Sequence, residues 1–515
     1  MSGRSSNTQN VAILELNNLS NIQYGHHLST NAARQRQKPD YVVDPSQVFD
    51  ESDNPRSAFH CNWNKTGWNV ISREDNIPPV TTNPDDGSLE FNFNSKMDHL
   101  KDAILIRNFQ NIRVSQKFRD KIQIKWTDKI GHHSYESIQL WINKECFGTH
   151  QPVFLDVKQR FLVDYKKQSL YRKFIGNRGT FDWSDQTGIF TAKTPIEFYF
   201  AKHISQAIPL FTGCQVKLVV ICKTKVSDFV KMRALKGNDW IEIPFKWDVV
   251  ENGGTYPGYG LMNKLEFPQL HARYTLMSEE EKTYYKEEKM VRVKSGTQKE
   301  EVPLTYYAED IIYLPIKKEM GGKIAKVNLS SKLPVKAIFW VARNLNAVKN
   351  SDYCNYTTNP TDSDVGKRNP IDKVSFTYNE TEKKIDNLPS YHFDEISSYF
   401  DSISPCVEVG YGFLPLCHDI SSFHNAQIGL TFTQQNATME FKLIDHVLIS
   451  DSEIKKDSDE IDVDKLIEKL TSEDIKGKIE NCEYEIHVIL LVTKRIDFYL
   501  NGKVVIHDGN KNIEY

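Results

Sequence analysis

The chain has 515 residues, 39% of them hydrophobic and 11% aromatic, and a formal net charge of −3. That length exceeds one ordinary hydrophobic core and calls for at least two domains, while the near-neutral balance supplies no general basic field for nucleic acid. No apolar run reaches the length of a membrane-spanning helix, and Met1-Ser2-Gly3-Arg4-Ser5 opens a polar stretch instead of the apolar core of a secretory signal.

The first 55 residues are rich in Asn, Ser and Gln, with a cluster at Arg34, Arg36 and Lys38, and read as an extended arm. Strand patterning starts after Phe59. Pro84-Asp85-Asp86-Gly87 is a turn in which Pro fixes φ and Gly supplies the positive φ. Leu89, Phe91 and Phe93 alternate with Glu90 and Asn92 as a half-buried strand requires. Ala103–Ile106, Ile122–Trp126 and the alternation of Ile138, Leu140 and Ile142 predict further strands, and Phe154–Lys173 has room for a helix. Pro195–Phe200 and Val216–Cys222 are expected to close a first domain over 56–228, with a linker from Lys223 to about Asn238.

A second β series, 229–515, is expected to begin near Trp240–Phe245. His271–Leu276 reads as a strand, and Ser278 with Glu281 forms a capping box ahead of a short charged helix. Leu333–Val341, Val374–Tyr378, Val407–Phe413, Ala426–Phe432, Met439–Ile449 and Tyr484–Thr493 predict strands; Asp451–Lys478 predicts a charged helical insertion. Asn501-Gly502 between apolar runs predicts a type I′ hairpin. Gly253–Leu265, Lys294–Lys326 and Arg343–Asn369 read as long polar loops. Thr194–Lys223 and Leu333–Asp419 read as copies of one unit, and strands at this spacing point to an all-β chain of antiparallel sandwiches.

Several segments carry a family likeness: Leu89–Ile112, Thr194–Cys222 with its Ala207-Ile208-Pro209-Leu210 step, His271–Glu288, Leu333-Pro334-Val335-Lys336 with Ile338 and Trp340, Tyr411–Leu416, and Ile486–Ile506. In that order they resemble the double jelly-roll major capsid proteins of double-stranded DNA viruses: the nucleocytoplasmic large DNA viruses, the virophages and Polinton-like relatives. Ser421–Asn425 stands where the commoner algal and insect virus members carry a glutamine-proline-serine-glycine loop. The resemblance implies two consecutive eight-stranded jelly rolls, with His271–Glu288 opening the second. It also implies a homotrimeric, pseudo-hexameric block in an icosahedral shell, located in the virion and assembled in the host cytoplasm or nucleus. Neighbouring capsomers and minor capsid and penton proteins would be its partners. The alternatives are a transient assembly scaffold of the same fold and a glycan-binding or glycan-processing jelly-roll protein.

Enzymatic motifs do not appear in the sequence. There is no Walker loop, G-x-S-x-G, H-E-x-x-H or dinucleotide fingerprint, and Gly258-Tyr259-Gly260 lacks a third glycine. His132-His133 is the most tempting metal pair; on a strand the two would point to opposite faces. Cys417, His418, Asp419 and His424 share one expected loop without an orienting third group. No catalytic, cofactor or metal residue is therefore assigned, no cofactor is expected, and direct nucleic-acid contact is not expected. The eight cysteines form no C-x-x-C pair and read as reduced, mostly buried thiols; the glycosylation patterns at Asn64, Asn379 and Asn436 read as chance.

Overall fold

The computed structural model describes residues 71–83, 87–237, 239–251, 266–293, 299–360, 367–378, 382–404, 408–417, 420–421, 432, 437–444, 482–507 and 512–514. The expected arm, the loop at 253–265 and the charged insertion at 451–478 lie outside them.

Apolar alternation builds two sandwiches in succession. In the first, one sheet runs β1 (Ile71–Ile77), β13 (Gln269–Leu276), β4 (His99–Phe109), β8 (Phe190–Pro195), with β9 (Ile208–Pro209) on β4. The facing sheet runs β2 (Thr81–Asn83), β3 (Ser88–Asn92), β10 (Val216–Cys222), β6 (Tyr135–Ile142), β7 (Glu145–His150). In the second, one sheet runs β22 (Tyr411–Pro415), β19 (Val335–Asn344), β24 (Glu483–Phe498), β25 (Val504–His507), β26 (Asn512–Glu514), and β16 (Leu304–Tyr313) and β17 (Lys317–Met320) also pair with β24. It faces β18 (Ile324–Leu329), β23 (Ala437–Leu443), β20 (Ile371–Tyr378), β21 (Glu382–Pro389).

Take the principal strands of each sandwich in chain order: β1, β3, β4, β6, β7, β8, β10, β13, then β16, β18, β19, β20, β21, β22, β23, β24. Both sandwiches then pair first–eighth–third–sixth in one sheet and second–seventh–fourth–fifth in the other. That order is the jelly roll, and the chain contains it twice. Every second residue of β10 is buried, as are Leu89 and Phe91 on β3, so the period-2 reading of these strands holds. Each such fully buried Leu or Phe is worth about 1.5–3 kcal/mol over leaving it in water.

The structure corrects several expectations. His271–Leu276 does not open the second barrel: β13 pairs with β1 and β4 and supplies the eighth strand of the first, beyond the boundary read at 228. The supposed linker contains β11 (Val230–Lys236), which joins β5 (Ile122–Trp126) and β12 (Asp239–Ile243) in a small third sheet over its own core. Lys231 on β11 is buried against Asp352 at 2.9 Å. The segment Lys294–Lys326 is largely strand, including β15 (Lys299–Glu301), which pairs with β14 (Val291–Val293), and all ten residues of β16 pair with β24. Acidic Glu309 and Asp310 masked β16, and both are buried by lysine partners. Pro195–Phe200 is not a strand; β8 ends at Pro195 and a 3-10 turn follows at Tyr199–Ala201. At 499–503 only Gly502 takes positive φ, at 81°, so the hairpin is a type I turn with a glycine bulge, closed by Gly502 N donating to Tyr499 O at 3.1 Å.

Among the described residues six α-helices complete the frame: α1 (Ile130–His133), α2 (Pro152–Phe161), α3 (Tyr165–Ile175), α4 (Glu279–Tyr284), α5 (Leu345–Val348) and α6 (Ser397–Asp401). The expected capping box starts α4, where Ser278 Oγ accepts from Glu281 N at 3.2 Å. Two of the helical segments, α2–α3 and the one ending in α6, occupy equivalent places: each fills the insertion between the fifth and sixth strands of its barrel.

Candidate functional site

Among the described residues, a dense cluster of buried charged and polar side chains lies in the seam between the two barrels. Helix α2 follows β7 directly, since Pro152 pre-sets φ at the first turn. It is buried on two sides. Leu155 points into the first barrel's core, while Val153, Phe154, Val157 and Phe161 lie on Ala337, Phe339, Val341, Phe413, Ile489 and Leu491 of the second barrel. Phe161, Phe339 and Phe413 stack with ring centroids 5.2–5.7 Å apart.

Asp156 sits at the centre of α2, fully buried, and binds both barrels. His132 Nδ1 and His133 Nε2 of the first barrel each donate to it at 2.8 Å, and Tyr356 Oη of the second donates at 2.7 Å. The two histidines therefore do act together, contrary to the strand-based reading. They lie on α1, where successive side chains are about 100° apart and can converge. Burial holds both imidazoles neutral, His132 below its ordinary value and His133 down to about 4, although Asp156 pulls the other way. Burial alone would raise the Asp156 carboxyl; the neighbouring His133 and Lys129 and the donated hydrogen bonds carry it well below the usual range. Lys129 bonds Glu408 at 3.1 Å and Tyr411 Oη at 2.9 Å, and Arg172 reaches Glu408 at 3.3 Å, so the charges balance across the seam.

Other charged groups stitch the same boundary. Glu309 lies between Lys202 and Lys336, the latter at 2.5 Å, and these cations bring its carboxyl down to about 2 against the opposing effect of burial. Lys494 joins Asp310 at 2.7 Å and the Phe147 carbonyl at 3.0 Å. Gly148 admits this contact, because a Cβ there would lie 2.2 Å from Asp310 Oδ1. Arg160 spans from α2 to Asp394 and Ser398, both at 3.1 Å.

This arrangement fastens the two barrels together. Among the described residues no three His, Cys, Asp or Glu side chains are grouped to hold a metal ion, and no helix is long and apolar enough to cross a membrane. A shallow cleft of about 350 Å³ at the start of α2 is lined by Gln151, Tyr313–Ile316, His487 and Val488, and His487 is occupied with Glu485 at 3.3 Å. Cys417, Cys146 and Cys354 are half-buried and in no disulfide; Cys214, Cys222 and Cys482 are buried. His418, Asp419 and His424 lie outside the described residues. Sequence reading missed Asp156, Tyr356, Lys129 and Glu408. Only Asp156, a lone carboxylate among Phe154, Leu155 and Val157, carried a signal.

Residues 65–227 match the family described as "Major capsid protein N-terminus". The fold is similar to the capsid of PBCV-1 virus (10% identity, TM-score 0.57, covering 85% of this chain and 97% of that one). It is also similar to the Faustovirus major capsid protein (9% identity, TM-score 0.58, covering 93% and 98%). No curated protein matches the chain in sequence. The solved structures carry the fold, which places the chain among double jelly-roll proteins. The family match carries the class for the part of the chain it covers: residues 65–227 are similar to the N-terminal part of a major capsid protein.

Proposed function

We propose that this chain builds an icosahedral shell from homotrimers, each presenting six similar barrels to the lattice, with neighbouring capsomers and minor capsid and penton proteins as its partners. The observation that supports this most is the repeated jelly roll joined through a buried seam. Two alike barrels held at a fixed angle give a closed three-fold ring six similar walls. A loose linker would not hold that angle. The chain has a structural and not a catalytic role on this reading. It is located in the virion after assembly in the host cytoplasm or nucleus, with the division between the barrels falling between β13 and β16. Light scattering on the purified full-length chain tests it: the expected mass is three chains, and a monomer at every concentration would overturn it.

A further inference from the structure

The repeat extends to the insertion between the fifth and sixth strands. In the first barrel α2 starts at once after β7; in the second a helical segment starts at once after β21, with a π turn at His392–Ile396 leading into α6. Each anchors in its own barrel by one apolar side chain, Leu155 in the first core and Phe393 in the second. Aligned on these anchors, buried Asp156 falls on buried Asp394, Val153 on Tyr391 and Phe161 on Tyr399.

The outward faces differ in what covers them. In α2, Val153 and Phe161 are covered by the neighbouring barrel's outer sheet face. Tyr391, Ile396, Tyr399 and Phe400 are bare, at 56%, 39%, 71% and 74% exposure. Two adjacent aromatic rings at over 70% exposure, near Ile396, mark a contact surface and not ordinary scatter. The barrel sheet equivalent to the one α2 covers is β1-β13-β4-β8. Its outer face carries half-buried Ile104 and Ile106, side by side with His271, Gln269 and Lys193 in the ladder.

We propose that the Tyr391–Asp401 segment docks on the outer face of the β1-β13-β4-β8 sheet of a second copy of this chain, repeating between subunits the seam that α2 makes within one. The occupant follows from continuity. In a ring of alternating first and second barrels, each second barrel is followed by a first barrel of the next chain, so the exposed helical face and the half-buried outer sheet face meet once per subunit. Of the four apolar seam positions on α2, Val153 and Phe161 have aromatic counterparts in Tyr391 and Tyr399, while Phe154 and Val157 align with His392 and Glu395; Tyr399 and Phe400 are the aromatic anchors of the docked face. This inference rests on the homotrimer reading and adds the surfaces that close it.

Two measurements on the full-length chain separate the possibilities. Y399S/F400S alters exposed side chains only, so the melting temperature should stay within a few degrees of wild type. Sedimentation should show its trimer dissociating at least tenfold more readily. Separately, a chain carrying Phe400→Cys is mixed with a chain carrying Ile104→Cys and oxidised. A disulfide-linked band absent from either variant alone is expected. If wild type forms trimers, the double variant trimerises equally well and the mixture gives no new band, the docking is wrong and the trimer stands. If wild type never leaves the monomer, the trimer reading falls and takes this inference with it.

Discussion

The two insertion helices are built alike and sit in opposite settings. Asp156 on α2 accepts three hydrogen bonds from both barrels and is held ionised; Asp394, its counterpart, has Arg160, and burial pushes its carboxyl up to about 7 against the pull of that guanidinium. The difference lies in the donors a neighbour supplies, not in the helix. A buried carboxylate is tolerated where partners surround it and costs free energy where they are fewer. The seam is thus polar at its centre and apolar at its edges, unlike the second barrel's interior, where Val488, Leu490, Met439 and Phe441 meet without charge.

The largest effect should come from removing the hub. Asp156→Ala leaves His132, His133 and Tyr356 without their shared acceptor and Lys129 with less compensation, and should cost about 3–5 kcal/mol in urea unfolding. His133→Ala should cost less, because Asp156 keeps two donors. Equal losses in both variants would mean that Asp156 matters only by filling space.

A somewhat smaller loss is expected at Gly412. It pairs with Trp340 across β19 and β22, and a Cβ there would lie 2.1 Å from the indole. Gly412→Ala should destabilise by about 1–3 kcal/mol through overpacking, seen as a lower urea midpoint with an unchanged slope. An unchanged midpoint would show that Trp340 can move aside.

Trp340 and Gly412 also show how much the sequence disclosed. Strands with clean alternation, such as Val216–Cys222, or with long apolar runs, such as Leu333–Val341, were legible because each residue's burial follows its own chemistry. Strands interrupted by charge were not. Lys231, Glu309 and Asp310 read as loop residues, and only their distant partners Asp352, Lys336 and Lys494 make them core. The seam failed for the same reason: Asp156 and Tyr356 are 200 residues apart. Local periodicity holds no record of such pairs.

Acid should act on Glu309. Its carboxyl is ordinarily near 4.5 and is brought to about 2 in the fold, so its stabilisation is complete above about pH 4.5 and is lost as pH falls toward 2. Stability measured between pH 5 and pH 2.5 should fall less steeply in Glu309→Gln than in wild type, from a lower starting point. Parallel slopes would remove Glu309 from the acid response.

The smallest effect should separate the two helices by the sign of their pH dependence. The Asp394 carboxyl is raised from 3.8 to about 7. The unfolded chain therefore gives up this proton first, and the native state is progressively disfavoured as pH rises from about 4 to 7. Below that window both states are protonated, and above it the penalty is constant. Asp394→Asn keeps the shape without the charge and should remove this slope, leaving the variant relatively more stable at pH 8 than at pH 5. Asp156→Asn should show no such window, because Asp156 is ionised throughout. If trimers supply Asp394 with new donors as Tyr356 supplies Asp156, the slope should also flatten on assembly. Unfolding followed at concentrations below and above trimer formation would reveal it; a slope identical in both would mean that no donor reaches Asp394 from the neighbouring chain.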